Sequence, residues 1–165
     1  MQKNLVTDVA VTTADWYSED FTYKSVVRFL KENGYKILRE SGQKELERNG
    51  KIITASKFFK KEVIEVKGFP SHYPHSTHDA SPVKNRHARS WFSEALFNSF
   101  LNFSVSEHAE VAMALPNVAR YQAIIKNLYE YFSTNDLYFR IYLVNKDGSV
   151  EVSNLNYKYT DEVIS

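Results

Sequence analysis

Apolar and polar residues alternate along the chain with two different periods, and these periods predict the first elements. A helix is predicted from Thr22, because four apolar residues follow at the spacing of one helix face: Tyr23, Val26, Val27 and Leu30. Asp20 or Thr22 is suited to cap its start, and Gly34 is suited to end it.

Three predicted strands follow, over residues 35–40, 51–56 and 62–67. Residues 41–50 form a polar connection between the first two. The segment KFFKK joins the second and third as a hairpin, although it contains no Gly, Pro or Asn. Residues 68–85 then predict a long loop, because they lack periodicity and carry three prolines.

The second half of the chain alternates predicted helices and strands. A helix over 86–103 carries one apolar side made of Phe92, Ala95, Leu96, Ser99 and Phe103. A strand follows at 110–115, and Pro116 suits the first turn of a helix with a stripe of Tyr121, Ile124, Ile125, Leu128 and Phe132. Strands at 137–144 and 149–152 flank an NKDG turn. This order predicts an α/β chain whose mixed central sheet is flanked by helices.

Composition limits the classes of protein that the chain can represent. Its 165 residues, with 43% hydrophobic and 15% aromatic content, predict one globular domain over 1–165, in which residues 1–20 form an N-terminal arm. The absence of cysteine excludes disulfides and thiolate metal sites, and it fits a cytoplasmic protein. No apolar run is long enough for a membrane span, and no signal peptide is recognisable. Since the net charge is +1, attraction to nucleic acid has to come from local basic patches.

Glu65 and Lys67 stand out because they interrupt a predicted strand of Val and Ile. Alternate residues of a strand share a face, so the two side chains lie roughly 7 Å apart. Magnesium is often held by one or two carboxylates with waters and phosphate oxygens, and a nearby lysine stabilises charge that develops on a phosphate. The same spacing also fits a strand-end ion pair with cross-strand partners, and spacing alone favours that interpretation.

Histidines recur in the predicted loop at His72, His75 and His78, with Asp79 directly after the last. Neutral imidazoles suit zinc or nickel. This spacing belongs to a helix face, however, and Pro74 disfavours a helix. The stretch is therefore better interpreted as a polar loop than as a metal site.

Basic residues collect where the second predicted helix begins, in KNRHAR. Lys84, Arg86 and Arg89 are candidate phosphate-binding residues there, and the two arginines share a helix face because they are three apart. An ordinary solvated helix start is the alternative, and it is favoured.

The KFFKK segment, residues 57–61, also mixes basic and aromatic side chains, as proteins that bind single strands do. Phe58 and Phe59 are equally suited to a dimer contact or to the core. We favour burial in the core for both rings.

Three segments occur in a fixed order: EVKGFPS (65–71), ARSWFSEAL (88–96) and VAMALP (111–116). Together they resemble the PD-(D/E)XK nuclease superfamily, with the restriction endonuclease-like fold, and in particular uncharacterised bacterial members with an EVKGYPS strand. The resemblance covers roughly residues 22 to 151. It implies an αβββαβ core with a C-terminal αβ extension, catalytic Glu65 and Lys67, and Glu65 as a ligand of Mg or Mn. It also implies DNA as the substrate and a homodimer as the assembly.

The chain departs from that family at the first acid, which is usually an Asp that opens the second strand. Alignment back from Glu65 without gaps places Ile52 there, and no Asp lies between Gly34 and Lys67. Three glutamates remain as substitutes: Glu32, Glu40 and Glu47. The resemblance therefore implies either a metal-dependent nuclease or a non-catalytic member of the same fold that binds nucleic acid or a partner protein.

Overall fold

A computed structural model describes residues 16–40, 51–69, 82–105 and 109–155 of the chain. The elements in these ranges are α1 (Glu19–Glu32), β1 (Lys36–Glu40), β2 (Lys51–Lys57), β3 (Lys60–Val66), α2 (Pro82–Val105), β4 (Glu110–Pro116), α3 (Ala119–Thr134), β5 (Arg140–Val144) and β6 (Val150–Asn154). Their order is the predicted one. The predicted α/β class with a mixed central sheet is confirmed.

The sheet has six strands, and they lie side by side in chain order from β1 to β6. Strand β3 is antiparallel to β2 and parallel to β4, and β4 is parallel to β5. The remaining pairs, β1 with β2 and β5 with β6, are antiparallel. Parallel neighbours need a crossover connection, and α2 and α3 provide the two crossovers.

Two apolar layers hold the helices on opposite faces of the sheet. On one face, α1 packs on residues from β2 to β5, and the buried members are Val26, Leu30, Ile53, Ala55, Ile64, Val66, Ala112, Ala114, Tyr142 and Val144. On the other face, α2 and α3 cover a second cluster that includes Ala88, Phe92, Ala95, Met113, Leu115, Tyr121, Ile125, Phe132 and Ile141. Because successive strand residues point to opposite faces, β3 contributes Ile64 and Val66 to the α1 side and Glu65 to the α2 side.

Several predicted boundaries and caps were wrong. The Oγ of Ser18, rather than Asp20 or Thr22, caps α1 by accepting a hydrogen bond from the N–H of Phe21 at 3.1 Å. Helix α2 begins at Pro82, four residues before the predicted start, because proline fits the first helical position. Pro116 ends β4 instead of starting α3.

The predicted β2–β3 hairpin is confirmed, but the prediction for its tip was wrong. Phe58 and Phe59 form the two-residue connection between the paired Lys57 and Lys60. Both rings lie on the surface, with Phe58 84% exposed and Phe59 fully exposed, and not in the core. The backbone of Phe58 takes a positive φ of 55°, the conformation for which glycine or asparagine is usual.

Some predictions fall on residues outside the described ranges. These are the histidine stretch with Asp79, the substitute acid Glu47, and residues 1–15 of the predicted arm. Where the chain is described, no helix combines the length and apolarity that crossing a membrane requires.

Candidate functional site

Glu65 lies in the middle of the sheet and faces α2, with 1% of its surface exposed. Its neighbours in register are Ile52 on β2 and Met113 on β4. A carboxylate between two apolar side chains loses most of its hydration, so its ionised form is costly at this position.

Two amides from α2 provide the hydrogen bonds of this carboxylate. The Nδ2 of Asn98 donates to Oε1 at 3.2 Å, and the Nδ2 of Asn102 donates to Oε2 at 3.4 Å. Burial nevertheless raises the pKa of Glu65 to about 7, and the two amides and the charge of Lys67 only partly oppose the rise. The carboxyl therefore changes between its protonated and ionised forms near neutral pH.

Lys67 directly follows β3 and reaches the same face as Glu65. Its backbone N–H extends the parallel ladder by donating to the carbonyl of Ala114 at 3.0 Å. Its Nζ lies 3.0 Å from Oε1 of Glu94 and 5.8 Å from the centre of the Trp91 ring. The side chain is only 13% exposed, so this ammonium is held in one place rather than extended into water.

The α2 residues that contact Glu65 and Lys67 form one stripe along the helix: Trp91, Glu94, Asn98 and Asn102. Their spacing of three and four residues places them on a single face at about 100° per residue. Sequence reasoning identified the neighbouring apolar stripe and missed this one. The sequence carried no clear signal for it, because polar residues recur along this helix and asparagine is mostly exposed.

A further carboxylate reaches the site from the start of α1. Residues 17–19 pack directly on the chain after Lys67, since the N–H of Phe69 donates to the carbonyl of Tyr17 at 2.9 Å. A Cβ atom on Gly68 would lie 2.8 Å from the backbone nitrogen of Glu19, so only glycine permits this approach. Burial raises the pKa of Glu19, and the charges of Lys67 and Lys51 oppose the rise.

Sequence reasoning also missed Glu19, because an acid in the first turn of a helix is usual for reasons of helix polarity alone. The substitutes that it considered lie elsewhere. Glu32 is at the opposite end of α1, about 20 Å from Glu19 at 1.5 Å per residue. For Glu40 the structure gives only the position of its backbone, at the end of β1.

The described residues do not form a closed protein cage for a metal ion. In ranges 16–40, 51–69, 82–105 and 109–155, no three His, Cys, Asp or Glu side chains gather as a metal-binding group. Ile52 lies directly opposite Glu65, where the family pattern places an Asp, and a hydrocarbon side chain offers no ligand. Glu94 is the acid in contact with Lys67, and Glu65 and Glu19 are further acids whose charges interact with it. Magnesium often keeps waters and phosphate oxygens beside one or two carboxylates.

Arg86 and Arg89, the predicted phosphate-binding pair, are both exposed on α2. At about 100° per residue, they point away from the stripe that begins at Trp91. The fold therefore does not bring them to Lys67, and for Lys84 the structure gives only its helical backbone. Comparison of the chain with protein-family models, with curated proteins and with solved structures found no match.

Proposed function

We propose that the chain is a nuclease-like domain of the PD-(D/E)XK type, with a restriction endonuclease-like core, that acts on DNA phosphodiester bonds with Mg or Mn. Glu65 is the metal ligand and Lys67 is the catalytic cation. Glu19 is the additional acid that the site requires in place of the residue at position 52.

One observation carries this proposal: the three segments that resemble the family meet around Glu65. The EVKGFPS segment supplies Glu65 and Lys67, and ARSWFSEAL supplies Trp91 and Glu94, which hold the ammonium. The segment VAMALP supplies the strand beside Glu65 and the carbonyl that fixes the backbone of Lys67. If Glu65 and Lys67 only formed an ion pair at the end of a strand, the Glu65 carboxylate would not need to be buried and to accept hydrogen bonds from Asn98 and Asn102.

The residues of the chain have distinct tasks in this mechanism. A bound divalent ion would polarise the phosphate and lower the pKa of a bound water. Lys67, largely shielded from water, stabilises the negative charge that develops on the phosphate. Since the pKa of Glu65 is about 7, its carboxyl would have to lose a proton to hold an ion, and activity should rise as the pH increases through this value.

The test is cleavage of plasmid and single-stranded DNA in Mg or Mn by the parent and by Lys67→Met. We expect the variant to lose about 100-fold or more in rate, the usual effect of removing a group that stabilises the transition state. Lys126→Met, which removes an exposed lysine of α3, is the matched control and should cleave like the parent. Equal cleavage by all three proteins would refute the assignment of Lys67.

Ile52 favours a second candidate, a non-catalytic member of the fold that binds nucleic acid or a partner protein. This candidate predicts DNA binding that a metal chelator does not weaken, with no cleavage in either metal. Ile52→Asp separates the two, because an Asp there would stand directly opposite Glu65. Cleavage gained by Ile52→Asp from an inactive parent would identify the chain as an inactivated nuclease.

A further inference from the structure

The hairpin tip, defined as residues Lys57–Lys61, breaks three local rules of hairpin construction. The connection consists of two phenylalanines, and Phe58 adopts a positive φ of 55°, which is strained for a bulky residue. Lys57 and Lys60 stand directly opposite each other, and like charges in that position lower stability. Both rings are exposed. Departures of this kind, collected at one point of a regular sheet, indicate a function other than folding.

Cations extend from the tip across the neighbouring strands. Lys61 pairs with Ser56, and Ser56 pairs with Lys36 on β1, so these residues form a row across three strands. Lys36 and Lys61 are exposed and lie about 10 Å apart, given the usual spacing of strands. On the other face, Glu110 offsets part of the charge of Lys60 at 3.6 Å.

Aromatic rings lie beside Lys57, which shares a face of the hairpin with Lys60. The Nζ of Lys57 is 5.4 Å from the centre of the Tyr35 ring and 5.7 Å from that of Phe58. Exposed rings beside cations that follow a line are the pattern by which proteins bind single strands, because each base stacks on a ring and the phosphates contact the lysines. Duplex DNA keeps its bases stacked on one another and cannot use the rings in this way.

We propose that the hairpin tip binds single-stranded nucleic acid, with bases stacked on Phe58 and Phe59 and phosphates held by Lys36 and Lys61. The tip lies at the opposite end of β3 from Lys67, about 20 Å away at 3.3 Å per residue. A strand that contacts both would run along the sheet. The choice of nucleic acid over an anionic membrane rests on the proposed function and on the linear arrangement of the cations.

The experiment measures fluorescence anisotropy of a labelled oligothymidine and of a duplex of equal length, in a chelator that prevents cleavage. The variant is Phe58→Asn combined with Phe59→Ala, because Asn tolerates the positive φ and should preserve the fold. We expect binding of the single strand to weaken about 100-fold or more, because each of the two lost stacking contacts contributes about ten- to 100-fold. Phe97→Ala, which removes an exposed ring of α2, should bind like the parent.

Charge provides a second, independent readout. Lys36→Gln and Lys61→Gln should each reduce the slope of log K against log salt by about 0.7, the value for one phosphate contact on a single strand. Unchanged slopes would overturn the assignment of these lysines. Thermal unfolding of each variant, compared with that of the parent, excludes loss of the fold as the cause.

Each further outcome also decides the proposal. Equal binding by the parent and the double phenylalanine variant overturns it. If the parent binds phosphatidylserine vesicles but not the oligonucleotide, the tip is a membrane-binding site and the proposal is overturned. If the parent self-associates and the double phenylalanine variant does not, the tip binds a second copy of the chain and the proposal is also overturned. Tip-dependent binding without any cleavage by the parent would support this inference and count against the nuclease.

Discussion

Glu62 and Glu65 are two buried glutamates of the same strand, three residues apart, with 3% and 1% of their surfaces exposed. They face opposite sides of the sheet and have different partners. Glu62 accepts two hydrogen bonds from Nη1 of Arg140, at 3.1 and 3.2 Å, and one from the hydroxyl of Tyr142 at 2.8 Å. Glu65 accepts two longer bonds from neutral amides, and Lys67, the cation near it, is paired with Glu94.

The difference separates a structural carboxylate from a candidate functional one. Burial raises the pKa of both groups, and at Glu62 the Arg140 charge directly opposes the rise. An ion pair of that kind fixes the strands against each other and engages both carboxylate oxygens with protein donors. Glu65 lacks this neutralisation, and a protein tolerates such a cost where the group has a task other than stability.

The largest expected difference in stability comes from removing the cation near each of the two glutamates. Arg140→Met leaves Glu62 buried without its partner and should lower the free energy of unfolding by about 3–5 kcal/mol. Lys67→Met should lower it by about 1 kcal/mol or less, because Lys67 pairs with the half-exposed Glu94. Urea unfolding of both variants checks the contrast. Equal losses would mean that Lys67 is as structural as Arg140.

Gly68→Ala tests whether the close approach of α1 matters to the site. The added Cβ would meet backbone atoms of Tyr17 and Glu19 at 2.8 Å, and the resulting displacement should cost about 1–3 kcal/mol and reduce cleavage. Gly34→Ala is the matched control, since its φ of +80° makes alanine strained although its nearest atom is 4.0 Å away. That variant should lose stability and keep the parent's activity per folded molecule. Reduced activity in both variants would mean that the close approach of α1 to Gly68 has no specific role in cleavage.

Glu65→Gln should stabilise the protein at alkaline pH. The folded-state pKa of about 7 lies above the ordinary 4.5, so the folded state holds the extra proton, and the parent loses stability as the pH rises between these values. Glutamine does not ionise, and Asn102 can turn its amide to accept from it. The stability advantage of the variant should therefore be about 2 kcal/mol larger at about pH 8.5 than at about pH 5.

Urea unfolding at the two pH values measures this advantage. Glu62→Gln is the comparison, and it should be destabilised because Arg140 loses its charged partner. An advantage for Glu65→Gln that does not change with pH would contradict the raised pKa.

Hydrophobic periodicity was enough to predict most of the elements, because most of them bury a stripe or a face. It predicted α1 from Val26 and Leu30, and it placed Glu65 and Lys67 on one side of β3. Caps and helix starts were less predictable, since Ser18 and Pro82 act through backbone geometry and not through burial.

The surroundings of Glu65 depend on contacts between distant parts of the chain. Asn98 and Asn102 meet Glu65 only when α2 crosses back over β3. Glu19 reaches the site through the packing of residues 17–19 on Gly68. Neither contact has a local sequence signal. The exposure of Phe58 and Phe59 could not be predicted from their hydrophobicity either. It arises because, among the described residues, no element packs on the hairpin tip.

The most direct test of the central claim, that Glu65 is a metal-binding carboxylate, is thermal unfolding in Mn²⁺ at about pH 8, where the group is ionised. Mn²⁺ at about ten times its Kd should stabilise the parent by about 1.4 kcal/mol and leave Glu65→Gln unchanged. Glu130→Gln, which alters an exposed glutamate of α3, should respond like the parent. An equal response by Glu65→Gln, or none by the parent, would contradict the account.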